Sequence, residues 1–188
     1  MFLKLLTPHL QLGSVLEIDA EMLSALGVEG LLLDFDGTLM DYYGDGFRPE
    51  VVAWVGQMLR EGVRLCVLSN GRGKRVRPLA ERLGLQCVGF AGKPLPFGLH
   101  AGMRKLGLDR TRVAMVGDQV FADVLAGRLA GVFTILVRPT TTQEAWITQI
   151  KRPLERLVLR TVASKNAVPK GSTPTGEQPD SSLAGASG

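Results

Sequence analysis

Residues 31–39 read Leu31-Leu32-Leu33-Asp34-Phe35-Asp36-Gly37-Thr38-Leu39. The leucine run is too short for a helix and too apolar for a loop, so it reads as a strand buried on both faces. It ends abruptly in two carboxylates one residue apart. The edge where a strand leaves the core is where open α/β sheets bind ligands. Along a strand Asp34 and Asp36 point the same way. Just past it, the Gly37 turn lets one carboxylate face a ligand while the other is turned aside. Two such acids side by side repel, so a cation or a shared proton is expected between them.

Working outward, the chain alternates strands and helices. Upstream, residues 1–29 read as an extended lead-in followed by a short helix from Asp19 to Leu26, with Asp19 as its cap and Gly27 as its stop. Downstream, residues 40–48 form a polar, glycine-rich loop. Pro49 opens a helix running to about Glu61. Val63 to Leu68 is a second buried strand, ending at Ser69-Asn70-Gly71. A basic helix over about 72–83 follows, then a third strand from Cys87 to Phe90. Gly92-Lys93-Pro94 begins a helix that ends near Gly107. Val113 to Val116 is a fourth strand ending at Gly117-Asp118. A helix from Val120 to Ala130, a strand from Val132 to Val137 and a last helix from Gln143 to Arg160 complete the pattern. Such alternation predicts a parallel sheet with helices on both faces, a Rossmann-like three-layer α/β sandwich over residues 30–160. Residues 161–188 are rich in Ser, Gly, Thr and Pro and read as a disordered tail.

Composition bounds the function classes. The 188 residues carry a formal net charge of +4, with 45% hydrophobic and 21% charged residues, as in an ordinary soluble domain. The mild excess of positive charge suits an anionic substrate, and no dense Lys/Arg run with interleaved aromatics points to nucleic acid. Cys66 and Cys87 have no CxxC partner and read as buried free thiols of a reducing compartment. Met1 to Leu12 lacks the apolar core and cleavage site of a signal peptide, and no run is long enough to cross a bilayer. The expectation is a cytoplasmic protein. Phe2, Leu3, Leu5, Leu6 and Leu10 either anchor it peripherally to a membrane or pack on the domain.

The informative pattern lies at the strand ends. The first strand ends in Asp34-x-Asp36 and the second in Ser69. Lys93 opens the helix after the third. Asp118 follows the fourth, with Asp123 in the next helix. In a parallel sheet these ends share one rim, so polar residues from distant positions converge there.

These residues resemble a known family. Asp34-Phe35-Asp36-Gly37-Thr38, Ser69-Asn70, Lys93-Pro94 and Gly117-Asp118-Gln119-Val120-Phe121-Ala122-Asp123 are similar to the motifs of the haloacid dehalogenase-like (HAD) hydrolases. The last motif and its flanks look like the YqeG-type phosphatases of subfamily IIIA, a branch that includes phosphatidylglycerophosphate phosphatases. The resemblance implies a phosphomonoester hydrolase using Mg²⁺. It implies Asp34 as nucleophile, giving an aspartyl-phosphate, and Asp36 as general acid and then base. Thr38 and Ser69, with backbone N–H groups near Asn70 and Gly71, would hold phosphate oxygens. Lys93 would neutralise phosphate and intermediate. The ion would take Asp34, the Asp36 carbonyl and Asp118, with Asp123 either a ligand through water or a partner of Lys93.

In this family a cap domain often shields the site. Here the stretches from Asp36 to Ser69 and from Ser69 to Lys93 each hold little beyond a helix and a strand. No large cap fits, and the site is expected to be open, which suits a large or surface-bound substrate such as a lipid head group, a phosphoprotein or a nucleic-acid end rather than the small metabolite that a cap selects. The alternative is a phosphate-sensing, receiver-like regulatory domain. Such domains carry their phosphorylated Asp on the third strand, without a second acid two residues on. His9 and His100 read as ordinary polar residues, and Arg72, Lys74, Arg75 and Arg77 as a solvated basic face. Tyr42, Tyr43 and Phe47 either contact substrate or cover the core.

Overall fold

The computed structural model describes residues 2–41, 46–71 and 73–140. Among these, the leucine run forms the central strand of a six-stranded, wholly parallel sheet. In chain order the elements are α1 (Phe2–Leu5), β1 (Leu10–Leu12), α2 (Ala20–Ala25), β2 (Gly30–Asp34), α3 (Pro49–Arg60), β3 (Arg64–Ser69) and α4 (Gly73–Arg82). They continue with β4 (Gln86–Gly89), α5 (Phe97–Leu106), β5 (Val113–Gly117), α6 (Leu125–Ala130) and β6 (Phe133–Val137). The sheet order is β1-β6-β5-β2-β3-β4, so β2 has a parallel neighbour on each side. Leu33 pairs with Val67 of β3 and with Val116 of β5.

The alternation of β2 divides the core. Leu31 and Leu33 pack with Trp54, Val55 and Met58 of α3 and Val76 and Ala80 of α4. Leu32 faces the other way, into Leu99 and Met103 of α5 and Ala126 and Ala130 of α6. A strand covered on both sides has no face left for polar residues, and that is why its leucines run without a break. This is the three-layer α/β sandwich expected from the sequence.

Three details depart from the expected elements. The lead-in, expected to be extended, opens instead with the short helix α1 and only then extends into a strand: β1 joins the sheet edge, with Leu10 opposite Ile135 and Leu12 opposite Val137. Three residues are too few for alternation to reveal a strand, and pairing with the end of the described chain decides it. The helix expected from Gly92 begins only at Phe97. Lys93 and Leu95 each precede a proline, and the residue before proline is pushed out of helical geometry. The helix expected from Val120 opens with a wider π-helical turn, Val120–Val124, before α6 proper. The expected helix from Gln143 to Arg160 and tail 161–188 lie outside the described residues, as do Tyr42, Tyr43 and Arg72. The β2–β3 and β3–β4 connections carry α3 and α4 and no further folded unit among the described residues. None of the described helices is long and apolar enough to cross a membrane.

Candidate active site

Asp34 is the last residue of β2 and keeps the phase of Leu32, so its side chain belongs to the face covered by α5 and α6. The two segments that lead into those helices supply its neighbours. Lys93, buried in the turn before α5, donates from Nζ to Asp34 Oδ1 at 2.5 Å, Asp123 Oδ1 at 2.6 Å and the Leu68 carbonyl at 3.1 Å. Asp123 sits in the π-helical turn and also accepts from the Gln119 N–H at 3.1 Å. Asp118 follows β5. Carboxylate oxygens of Asp34, Asp118 and Asp123 all lie within 4.8 Å of one another, and all three residues are buried.

Three carboxylates and one ammonium leave this pocket two negative charges in excess if all are ionised. Burial pushes the Asp34 carboxyl well above its usual range. Lys93 opposes that push, and Asp123 and Asp118 add to it. For Lys93, burial works against the charge, but Asp123 and Asp34 outweigh it and hold the ammonium form. Asp34 Oδ2 is buried with no hydrogen-bond partner among the described residues. A hard divalent cation fits this donor set. It takes oxygen ligands, it cancels the excess charge, and Asp34 offers it an oxygen that Lys93 does not use.

The other expected site residues gather around this centre in different ways. Thr38 is buried on the turn after β2, its Oγ1 likewise without a described partner. Ser69 ends β3, and its Oγ accepts from the Gly71 N–H at 3.0 Å, so that amide is already engaged. The Asn70 side chain has a further use. Its Nδ2 donates to the Lys93 carbonyl and its Oδ1 accepts from the Lys93 N–H, both at 2.8 Å, so the amide positions the lysine. The Asp36 carboxylate stands outside the acidic cluster and pairs with Arg75 Nη1 at 2.8 Å.

Arg75 was expected on a solvated face. It is exposed there, and it also reaches back from α4, its Cζ 5.9 Å from the centroid of the Phe35 ring. Phe47 meets the same ring edge-on at 5.8 Å and so covers the core. His9 is structural, stacked on Phe133 at 4.7 Å and bonded to Thr134. Cys66 and Cys87 are free thiols, and burial pushes Cys66 up to about 12.

One contributor was not anticipated. A Cβ at Gly117 would lie 2.2 Å from Asp123 Oδ2, so only glycine lets β5 end against that carboxylate. The Gly-Asp pair was legible as a motif, but its glycine was not legible as a packing requirement.

The profile of the haloacid dehalogenase-like hydrolases matches residues 42–131. The chain carries a HAD-like hydrolase domain. The probable phosphatase YqeG of Bacillus subtilis is 29% identical over 168 residues, covering 89% of this chain and 98% of that protein. The chloroplastic phosphatidylglycerophosphate phosphatase 1 of Chlamydomonas reinhardtii is 29% identical over 144 residues, but the match spans only 54% of its length. Among solved structures, a hypothetical protein of Xanthomonas campestris superposes with a TM-score of 0.51 at 19% identity. That match covers 73% of this chain and 78% of the other, and it is a likeness of fold. The matched family is one of hydrolases, and both curated relatives are named as phosphatases.

Proposed function

We propose that this HAD-like domain is a Mg²⁺-dependent phosphomonoesterase that works through an aspartyl-phosphate on Asp34. Its substrate is a large or surface-borne phosphomonoester, such as phosphatidylglycerophosphate. The observation that carries the reading is the division of labour at Asp34. One oxygen is held by Lys93 and the other is buried with no described partner, in a carboxyl that clusters with Asp118 and Asp123.

In this reading Asp34, with Asp118 and the Asp36 carbonyl, would hold the ion, and Asp123 chiefly holds Lys93. Mg²⁺, when bound, offsets the charge that keeps an anionic phosphate away from a carboxylate. Asp34 forms the bond to phosphorus through the oxygen that the ion would not take, as the ester bond to the leaving oxygen breaks. Asp36 delivers a proton to that oxygen, then takes one from the water that cleaves the phospho-aspartate. To do so it must leave Arg75 and turn over the rim. The Thr38 and Ser69 hydroxyls donate to phosphate oxygens, and the Lys93 ammonium stays beside the charge developing on the transferred group.

The test is p-nitrophenyl phosphate hydrolysis with and without Mg²⁺, in the native chain, Asp34→Asn and Asp118→Asn. Turnover that needs the ion and vanishes in Asp34→Asn is expected. Separately, Mg²⁺ at about a hundred times its Kd stabilises the fold by about 2.7 kcal/mol. Asp118→Asn should lose that thermal shift. Full activity without metal, or in Asp34→Asn, refutes the mechanism.

A further inference from the structure

The loop that turns Lys93 inward turns three large apolar side chains outward. Phe90 is 71% exposed, Leu95 54% and Phe97 71%, whereas Ala91 and Lys93 between them are buried. The loop closes on itself. A Cβ on Gly98 would lie 2.3 Å from the Ala91 carbonyl oxygen, so those two backbones touch and the phenylalanine preceding each flanks the neck. Phe90 adopts a left-handed backbone at φ 54, which is costly for a residue with a Cβ. Three exposed apolar groups within eight residues are more than the scattered single ones normal on a soluble surface.

Charge lies beside this patch. The Phe90 N–H donates to the Gly71 carbonyl, placing the loop against the segment that leads into α4. The end of that helix nearer the loop presents Arg75 and Arg77 to solvent, with no acid before Glu81. Apolar side chains that reach past the headgroups, flanked by cations, match a bilayer containing anionic lipid.

We propose that the 90–97 loop and the basic face of α4 form a docking surface for an anionic lipid membrane, seating the rim of the sheet, with Lys93 and Asp34, at the bilayer surface. This deepens the reading given under Proposed function and rests on it, because it assigns the phosphomonoester to a lipid interface. It also moves the contact away from α1. That helix leads into the start of β1, at the other end of the strands from the site, so an anchor there would not present the rim.

The experiment is sedimentation with phosphatidylcholine vesicles, with and without phosphatidylglycerol. It compares the full chain, Phe90→Ser/Phe97→Ser and Arg77→Gln, with p-nitrophenyl phosphate hydrolysis and Tm measured in parallel. The native chain is expected to sediment with the anionic vesicles and to release as salt rises. The phenylalanine pair should cut partitioning at least about tenfold. The arginine variant should weaken the preference for phosphatidylglycerol. Both should keep native Tm and hydrolysis of the soluble ester. A native chain that ignores both vesicles, or a phenylalanine variant that binds as the native chain does, overturns the proposal. So does a native chain that self-associates through this face instead of binding lipid. Vesicle binding that depends on Phe90 and Phe97 in a chain without phosphatase activity would sink the proposed function and leave the docking surface standing.

Discussion

The side chain of Asn70 closes on the backbone of Lys93 from both sides, donating to its carbonyl and accepting from its N–H, each at 2.8 Å. The lysine that joins Asp34 to Asp123 is thereby fixed at its root as well as at its tip. Asn70→Ala removes both bonds at once. We expect the fold to lose about 1–3 kcal/mol, and kcat to fall by about 10- to 100-fold as the ammonium drifts from the phosphate position. Urea denaturation and steady-state kinetics measure the two effects. A variant with native kcat would show that Lys93 needs no such support.

Lys93 offsets acids that face one another in a buried space. Lys93→Met leaves Asp34, Asp118 and Asp123 without a cation, and removing one member of a buried ion pair costs about 3–5 kcal/mol. The loss, read from the urea midpoint without metal, should shrink when Mg²⁺ is added. A variant as stable as the native chain in metal-free buffer would mean that the acids are not all ionised together.

Gly117→Ala tests the close approach of β5 to Asp123. The added methyl would sit 2.2 Å from the carboxylate oxygen, so Asp123 must move and take Lys93 with it. Overpacking of this kind costs about 1–3 kcal/mol. The larger expected effect is on kcat, by about 10-fold or more. Thermal melts and steady-state kinetics read the two effects, and a Gly117→Ala variant with native Tm and native kcat would show that nothing there resists the methyl.

The chemistry-bearing acids and Lys93 were legible because each lies at the end of an apolar run, and a parallel sheet gathers such ends. What escaped notice depends on where a side chain turns after the strand is over. Nothing local in Asn70 says that it will hold a backbone 23 residues away, or in Arg75 that it will reach Asp36 across 39. Gly117 reads as half of a motif until Asp123 is seen against it. The strand β1 is three residues long, and its partner lies 125 residues further on.

That edge pairing carries a pH dependence. Burial, and then Arg128, hold His9 below its ordinary 6.5. The folded chain therefore disfavours the imidazolium, and the unfolded chain takes up the proton first. The contribution of His9 is complete above 6.5 and is lost as pH falls through its lowered folded value. Relative to the intrinsic rate, which itself falls with pH, amide exchange at Leu10–Leu12 should become faster as pH drops below 6.5. In His9→Gln that extra acceleration should disappear, and an unchanged profile in the variant would assign it to another group.

The sheet order also sets a timetable for synthesis. Asp34 leaves the ribosome early, with β3 soon available on one side of its strand, but its other neighbour β5, and Asp118 and Asp123, emerge much later. Until then an aspartate destined for a dry pocket has neither its lysine-bound partner nor the wall behind it. A nascent chain halted before β5 would expose half of the central leucine strand as an open template, so chaperone engagement should peak there.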